Sequence, residues 1–302
     1  MIGDITQLLL LPHINVRNAN ALSSPFTIGF PAMTAWLGST HALQKKLVAN
    51  GFSELNFKAT AVISHHCDLQ TYKGRGDFVH SIVGTGNPLD KNGERTAFIE
   101  EARCHLDCSL LVEYSGVDKD SESGFLDKIS HLLNSQLKIA GGDILNFGLP
   151  LTLKLEEGNS TDLRKLTRKL MPGYAIIQRR ELLKETMEDG VDIMDALLDY
   201  LAIHHSCEKD GEGNVIWTSK RKTAGWIVPI ATGFHGISEL GEAKNQRDPK
   251  TPHRFAESVV TLGEFIMPHR IRTLADIMWC YHVDTKKNLY LCQQSNCLTN
   301  LV

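Results

Sequence analysis

The residues Leu8-Leu-Leu-Leu-Pro-His-Ile-Asn-Val-Arg-Asn-Ala-Asn-Ala-Leu-Ser-Ser-Pro-Phe-Thr-Ile-Gly-Phe-Pro-Ala-Met-Thr-Ala-Trp-Leu-Gly-Ser-Thr-His-Ala-Leu43 spell out a strand, a polar connection and a helix in unbroken succession. Leu8 to Leu11 is a fully apolar run, and Ile14 and Val16 continue it in alternation, so the strand starts buried on both faces and ends half-buried. Pro25, Gly29 and Pro31 punctuate the connection, after which Met33, Trp36, Leu37, Thr40 and Leu47 recur at helical spacing. A loop of about a dozen residues inside a compact domain is unusual unless it does something.

Working outward, Phe57 to Ile63 reads as a second strand. The glycine-rich segment from Tyr72 to Gly93, with Lys73, Arg75, Lys91 and an Asn92-Gly93 turn signal, reads as a hairpin or lobe projecting from the fold. Cys104 to Tyr114 returns as a long strand in which His105, Asp107 and Ser109 alternate with Leu106, Cys108 and Leu110. Gly124 to Lys138 reads as a helix with Phe125, Ile129, Leu132, Leu133 and Leu137 on one face, and Gly141-Gly142 turns the chain into another extended piece. The order strand, helix, strand, lobe, strand, helix, strand is the split βαβ pattern. The fold class expected is α+β: a ferredoxin-like (RRM-like) domain over 1–150 with a thumb insertion at about 70–96, and a C-terminal α/β extension over 151–302 packed on it. Such sheets carry helices on one face and leave the other available, which by itself decides no function.

In the second half, Asp162 to Leu170 reads as a helix stopped by Pro172-Gly173, Tyr174 to Ile177 as a strand, and Arg179 to Ile203 as helical. Trp226 to Ile230 is a strand that Pro229 pushes to an edge. Phe255 to Phe265 and Ile271 to Tyr281 are expected to be helices.

The chain of 302 residues, 42% hydrophobic, can bury a large core. Leu8 to Leu11 is too short to span a bilayer and no basic flank with a cleavage site precedes it, so a soluble, cytoplasmic protein with no membrane partner is expected. Seven scattered cysteines fit reduced thiols rather than a disulfide framework. A net charge of -3 argues against a nonspecific polyanion binder while leaving room for local basic surfaces.

Two basic groups stand out. Arg164, Lys165, Arg168 and Lys169 line one face of the helix at 162–170 opposite Leu163, Leu166 and Leu170; residues 161–180 carry six positive charges against Asp162 alone. That is either a solvated amphipathic face or a clasp for several phosphates. Lys244, Arg247, Lys250, His253, Arg254, His269, Arg270 and Arg272 lie among Pro249, Pro252 and Pro268, as a charged connection or a site for phosphates or acidic partners. The connection after the first strand offers Asn18, Asn20, Ser23, Ser24 and Thr27 for hydrogen bonds to sugars, bases and phosphates, and Phe26 and Phe30 for stacking. The start of the following helix, near Ala32 to Ala35 and including Thr34, has free amides suited to an anion. Its small residues serve close approach of a backbone, tight packing on the sheet, or both.

Catalysis has no visible seat. Thirteen histidines include His65-His66-Cys67 and His204-His205, and the cysteines include Cys104-x3-Cys108 and Cys292-x4-Cys297, but none has zinc-finger or ribbon spacing, so no metal and no cofactor is expected. No nucleophile elbow, phosphate loop or HExxH occurs.

Leu8-Leu-Leu-Leu-Pro, Asn18-Ala-Asn-Ala, Ser23-Ser-Pro, Gly29-Phe-Pro and His41-Ala-Leu resemble, in order, the start of the Csy-two (Cas-five-type) family of type I-F CRISPR surveillance-complex subunits. Asn87-Pro-Leu, Glu100-Glu-x-Arg103, Ala140-Gly-Gly-x-Ile-Leu145, Leu166-Thr-Arg-Lys-Leu-x-Pro-Gly173, Gly225-Trp-x-Val-Pro229, Thr251-Pro-x-Arg-Phe255, Leu262-Gly-Glu264 and Pro268-His-Arg270 continue the likeness in sequence order to about Tyr281. Lys286 to Val302 lies outside it. The resemblance implies a non-catalytic RNA-binding scaffold of the repeat-associated (RAMP) superfamily that grips the crRNA 5′ handle, pairs with the large subunit and abuts the first backbone subunit. Target DNA, reached through the complex, and phage anti-CRISPR proteins are further partners it implies. The inserted lobe would be a thumb over the RNA. By motif, Asn18 to Thr34 and the Gly141-Gly142 turn would touch the handle, with Arg164 to Lys169, Arg254 and Arg270 facing either RNA or protein. The alternative is an endoribonuclease of the same superfamily trimming CRISPR precursor RNA, which would need a histidine such as His13 or His41 beside Lys or Tyr.

Overall fold

A computed structural model describes residues 5–83, 89–90, 92–94, 101–156, 158–209, 211, 213–244, 246, 248 and 250–294, and it places the apolar run Leu8–Leu11 inside a large, curled antiparallel sheet. The strands in chain order are β1 (Ile5–Asn20), β2 (Leu22–Ser24), β3 (Thr27–Ile28), β4 (Asn56–Leu69), β5 (Thr71–Tyr72), β6 (Ser81–Ile82), β7 (Arg103–Ser115), β8 (Lys138–Ile139), β9 (Gly142–Asn146), β10 (Leu151–Glu156), β11 (Tyr174–Gln178), β12 (His204–Lys209), β13 (Val215–Lys220), β14 (Trp226–Gly236), β15 (Ala256–Ile266), β16 (Cys280–Asp284) and β17 (Leu289–Gln293). The helices are α1 (Met33–Ala49), α2 (Glu122–Ser135), α3 (Ser160–Lys169), α4 (Arg180–Glu188) and α5 (Ile193–Leu201). The main sheet has eleven strands in the order β16-β17-β14-β15-β11-β4-β7-β1-β9-β8, with β10 also paired to β1. The structure is thus mixed α/β, dominated by one sheet.

β1 is long because it serves three neighbours. β7 runs along one side, while β10 takes Ile5 to Leu10 on the other and β9 takes Asn15 to Arg17. Leu9, Leu11, Ile14 and Val16 face a core closed by α1 (Trp36, Leu43, Leu47) and α2 (Phe125, Ile129, Leu132). Leu8 and Leu10 face the opposite side, where Leu166 and Leu170 of the α3 segment and Ile271, Ile277 and Met278 cover them. Burial on both faces accounts for an unbroken apolar run instead of an alternating one. It also corrects the expectation of a free sheet face, since the second half of the chain covers that face over the first half of β1.

Trp279 makes the curl. Its backbone N–H and C=O exchange hydrogen bonds of 2.9 Å with those of Thr60 in β4, and its indole N–H donates to the Ile176 carbonyl at 2.9 Å. The segment entering β16, at one end of the strand order, therefore meets β4 again, with α1 packed against β4, β14 and β17 in the concavity.

Several expected elements hold: α1, α2, α3, β4, β7 and β11 lie where periodicity puts them. The connection from Asn18 to Pro31 is more ordered than expected. β1 runs on to Asn20, and β2 and β3 pair as a small ribbon. Register shifts in the β1–β7 ladder between Leu11 and Ile14 and between Val16 and Ala19, with His13 at φ 48° and Asn18 at φ 55°, mark bulges that break the period-2 signal. The expected helix Phe255–Phe265 is instead β15. Its β-branched run Val259-Val260-Thr261 suits a strand, and Gly263 admits Ile230, whose Cδ1 would lie 2.9 Å from an added Cβ. Ile271–Tyr281 is likewise not a helix; short 3₁₀ turns at Pro268–Arg270 and Leu274–Asp276 lead into β16. Pro229 sits as expected on a free edge, because β17 joins β14 only from Gly233 to His235. Cys67, Cys104, Cys108, Cys207 and Cys292 are free thiols, whereas Cys280 is disulfide-bonded, against the expectation of reduced thiols throughout.

In the expected thumb, β5 and β6 pair through Thr71–Ile82 and Tyr72–Ser81, with Phe78 and Val79 strongly exposed beyond them. Residues 84–88, 91 and 95–100, which include Asn87 and Pro88 of the Asn87-Pro-Leu motif and Lys91, lie outside the described residues, as do Arg247 and Pro249. Among the described residues no helix is long and apolar enough to cross a membrane.

Candidate nucleic-acid interface

The end of β1 forms a corner with three other segments. The Asn20 N–H donates to the Ala140 carbonyl at 2.8 Å, which brings the Gly141-Gly142 turn alongside; Ala21 N–H donates to Ala102, and Gly29 N–H donates to Ala21. β8, beside that turn, also touches α1. Arg17, Asn18, Asn20 and Gly141 are exposed here and Thr34 is half-buried in the first turn of α1. That helix begins at Ala32 with no side-chain cap and no acidic residue in its first turn, so its leading amides face no carboxylate of their own. The structure thus brings Asn18, Asn20 and Gly141 to one corner, while Thr34 stands in the first turn of α1, five residues along the chain from Gly29.

Other expected contacts turn inward. Ser24 is 4% exposed and its Oγ is 2.6 Å from Thr27 Oγ1, while Ser23 bonds the same Thr27 at 2.9 Å; both hold the β2–β3 ribbon together. Phe30 is 8% exposed and stacked on Trp36 with ring centres 5.2 Å apart, so no base can reach its face. Gly142 is buried, and a Cβ there would stand 2.6 Å from the Arg17 carbonyl oxygen and 2.8 Å from the Ala19 nitrogen; its lack of a side chain lets β9 approach the second bulge of β1. Asn20 spends its amide on an Asx turn, accepting from Leu22 N–H at 3.1 Å and donating to Leu22 O at 3.0 Å.

α3 behaves as its periodicity requires. Leu166 and Leu170 are buried and Arg164, Lys165, Arg168 and Lys169 are exposed. Lys165 pairs with Asp162 at 3.2 Å; Arg164, Arg168 and Lys169 make no ion pair among the described residues. The Pro268–Arg270 turn packs on α3, so Arg270 joins this basic surface. Arg254 does not. It donates from Nη1 to Asn288 Oδ1 at 2.6 Å beside Gly236, and the eleven residues of β15 hold it roughly 30 Å from Arg270. The second basic group is therefore two separate places.

A polar cluster that motif spacing did not single out occupies the uncovered half of the sheet. Leu8 and Leu10 give way on that face to His13, Asp107, Ser109 and His65. The Pro172 carbonyl can only accept, so His65 Nδ1 donates to it at 2.5 Å; the Nε2 lone pair then receives the Ser109 hydroxyl at 2.6 Å, and Ser109 Oγ accepts the His13 backbone N–H at 3.0 Å. Burial holds the His65 pKa below its ordinary value, so the ring is neutral near pH 7. His13 stacks on His65 with centroids 4.1 Å apart and planes 25° apart, and its Nδ1 lies 3.2 Å from Asp107. His13, His65 and Asp107 bring ligand atoms within 4.8 Å of one another. A metal ion bound at about 2 Å lies in the plane of each imidazole that holds it, and two stacked, nearly parallel rings do not share such a point. As arranged, the cluster is a hydrogen-bond network.

A family model described as CRISPR-associated protein (Cas_Csy2) matches residues 9–292. The chain is also 34% identical over 318 residues to the CRISPR-associated protein Csy2 of Pseudomonas aeruginosa (strain UCBPP-PA14), covering 96% of this chain and 95% of that protein. Both spans take in the corner at the end of β1, the whole of α3 and the sheet beyond it. The chain belongs to the Csy2 family of CRISPR-associated proteins, the type I-F family its motifs resemble.

Proposed function

We propose that the protein is a non-catalytic, cytoplasmic scaffold subunit of a type I-F CRISPR interference complex and caps the 5′ handle of the guide RNA. The observation that carries this reading is the corner where exposed Arg17, Asn18 and Asn20 meet the Gly141 turn, with the uncapped start of α1 following shortly after Gly29 in the chain. Backbone amides, short amides and one guanidinium within a small area suit a sharply bent phosphate backbone better than a small neutral ligand. The strand order β9-β1-β7-β4, all antiparallel, with α1 and α2 together on one face, supports reading residues 5–146 as a ferredoxin-like module. On this reading the β5–β6 hairpin is the base of the thumb. The basic surface of α3 and Arg270 meets either RNA phosphates or an acidic face of the large or first backbone subunit.

The test is co-expression with the other complex subunits and a CRISPR array, followed by sequencing of the RNA that copurifies. Guide RNA with its 5′ handle protected from nuclease supports the reading; an assembled complex whose handle is fully accessible overturns it. His13 and His65 lie together, so purified chain incubated with labelled precursor RNA is the needed control. Multiple-turnover cleavage abolished by His13→Ala would replace the scaffold reading with that of an endoribonuclease.

A further inference from the structure

Phe30 is the inner part of a chain of rings whose outer end is exposed. Trp36 stacks on Phe30, Phe30 meets Phe265 at 5.2 Å and 86°, Phe265 meets Trp226 at 5.0 Å and 50°, and Trp226 meets Tyr174 at 5.3 Å and 79°. Trp36 is fully buried, yet Trp226 is 51% exposed. Trp226 opens the half of β14 that pairs with β15 on one side and, among the described residues, with no strand on the other, so the indole stands at an unpaired sheet edge. Its two ring neighbours meet it tilted or edge-on, and neither lies flat against an indole face. Its position is well fixed: Phe265 is its cross-strand partner, and Gly225, at φ 110°, turns the chain over Glu264, whose Oε1 would lie 2.4 Å from an added Cβ. Arg179 neutralises Glu264 there.

A large aromatic ring that two others hold in place and that is left with open surface is built to receive a flat partner. The charges that precede the two outer rings in the chain indicate which. Within six residues of these rings along the chain, Arg168, Lys169, Lys220 and Arg221 make no ion pair among the described residues, whereas Lys222 is held by Asp199 and lies over the Tyr200 ring. A neutral apolar partner would gain nothing from those cations, whereas unpaired RNA offers a base for the ring and phosphates for the cations. We propose that Trp226, propped by Tyr174, is a stacking platform for an unpaired base of the guide RNA. This rests on the guide-binding reading above and adds a site to it.

The full chain is titrated with single-stranded RNA of the CRISPR repeat sequence and with an abasic strand of equal phosphate number, using wild type, Trp226→Ala, Trp226→Phe and Tyr174→Ala. Affinity is read from the anisotropy of end-labelled RNA, and the emission of Trp226 itself is followed in a Trp217→Phe background, because Trp217 is the other exposed tryptophan while Trp36 and Trp279 are buried. The platform requires that base-bearing RNA quench the emission. It also requires that Trp226→Ala weaken that RNA about ten- to a hundredfold, that Trp226→Phe recover most of the loss, and that affinity for the abasic strand and the salt slope stay as in wild type. If Trp226→Ala binds base-bearing RNA as wild type does, the platform is wrong and the guide-binding reading stands. Equal loss of both strands, or loss of a partner subunit from the copurified complex with RNA affinity intact, also overturns the platform, assigning Trp226 to folding or to a protein contact respectively. Wild type that holds neither strand, alone or in the complex, removes both readings together.

Discussion

The two halves of β1 share one strand and have opposite surroundings. Leu8 to Leu11 are at most 1% exposed, because α1 and α2 cover one face and α3 with the turns after Pro268 cover the other. From His13 to Asn20 only Ile14, Val16 and Ala19 are buried; the outer covering stops at Pro172, whose carbonyl meets His65. The first half is invested in holding the sheet to the second half of the chain. The second half keeps one wall of core and presents the other wall, bulged twice, to whatever binds. Polar chemistry is found where the covering ends, and no special motif is needed to place it there.

The largest effect should separate the halves directly. Leu10→Ala leaves a cavity between the sheet and α3 and should cost about 2–5 kcal/mol in urea unfolding, with guide binding lost only as the fold is lost. Asn18→Gly, at a positive φ that glycine adopts freely, should leave stability within about 0.5 kcal/mol while weakening guide retention. A Leu10→Ala cost under about 1 kcal/mol would mean that the outer covering is not packed as described. Next in size is a contrast inside one turn. Gly142→Ala drives a methyl into the backbone of Arg17 and Ala19 and should cost about 1–3 kcal/mol. Gly141→Ala, at φ 74° with open space around its Cβ, should cost only about 1 kcal/mol. Equal costs would show that β9 does not press on the second bulge.

Replacing Arg164, Lys165, Arg168 and Lys169 together by Ala touches neither half of β1, and thermal unfolding should move by no more than about 1 kcal/mol, since the side chains are exposed and the one ion pair among them is on the surface. If the helix meets the guide, affinity falls and the log–log salt slope flattens by up to about 3. Binding unchanged across a salt titration would turn α3 toward a partner subunit.

Much of this was legible before the fold was known, and the exceptions have physical causes. α1, α2 and α3 carry clean 3.6-residue periodicity, and all three stand where that pattern puts them. β1 beyond Val16 was hidden because each bulge shifts the alternation by one residue. β15 was hidden because Phe255, Leu262 and Phe265 fall at helical spacing while the β-branched run between them sets the backbone. In the candidate site, residue type was readable and direction was not: Ser24 and Phe30 have the right chemistry for RNA and point into the ribbon and the core. Trp226 stands in a recognised motif, yet its exposure depends on β17 starting to pair only at Gly233. His65 and Ser109 are 44 residues apart, so their bond had no local signature. The alternation of His105, Asp107 and Ser109 along β7 was the available hint that one face of that strand turns polar.

The smallest expected effect uses that polar face to sharpen the comparison, since nothing in the Leu8–Leu11 half titrates. His65 faces His13, Asp107, Ser109 and the Pro172 carbonyl. Burial is the main force lowering its pKa; His13 adds to it, and the Pro172 carbonyl and Asp107 act against it. Between the lowered folded pKa and the unfolded value of about 6.5, the unfolded chain binds the proton that the folded chain refuses. Stability therefore rises with pH across that window and falls on acidification, with the loss complete once pH drops below the folded pKa. His65→Gln keeps a side chain able to hydrogen-bond Ser109 but cannot titrate, so its stability should depend less on pH. Because His65 is only half-buried, solvent screening keeps the difference small, about 1 °C in Tm between pH 7 and pH 5.5. Parallel Tm–pH curves for the two proteins would mean that His65 is solvated like an ordinary surface histidine, and the boundary between the covered and open halves of the sheet would then lie nearer Leu11 than Pro172.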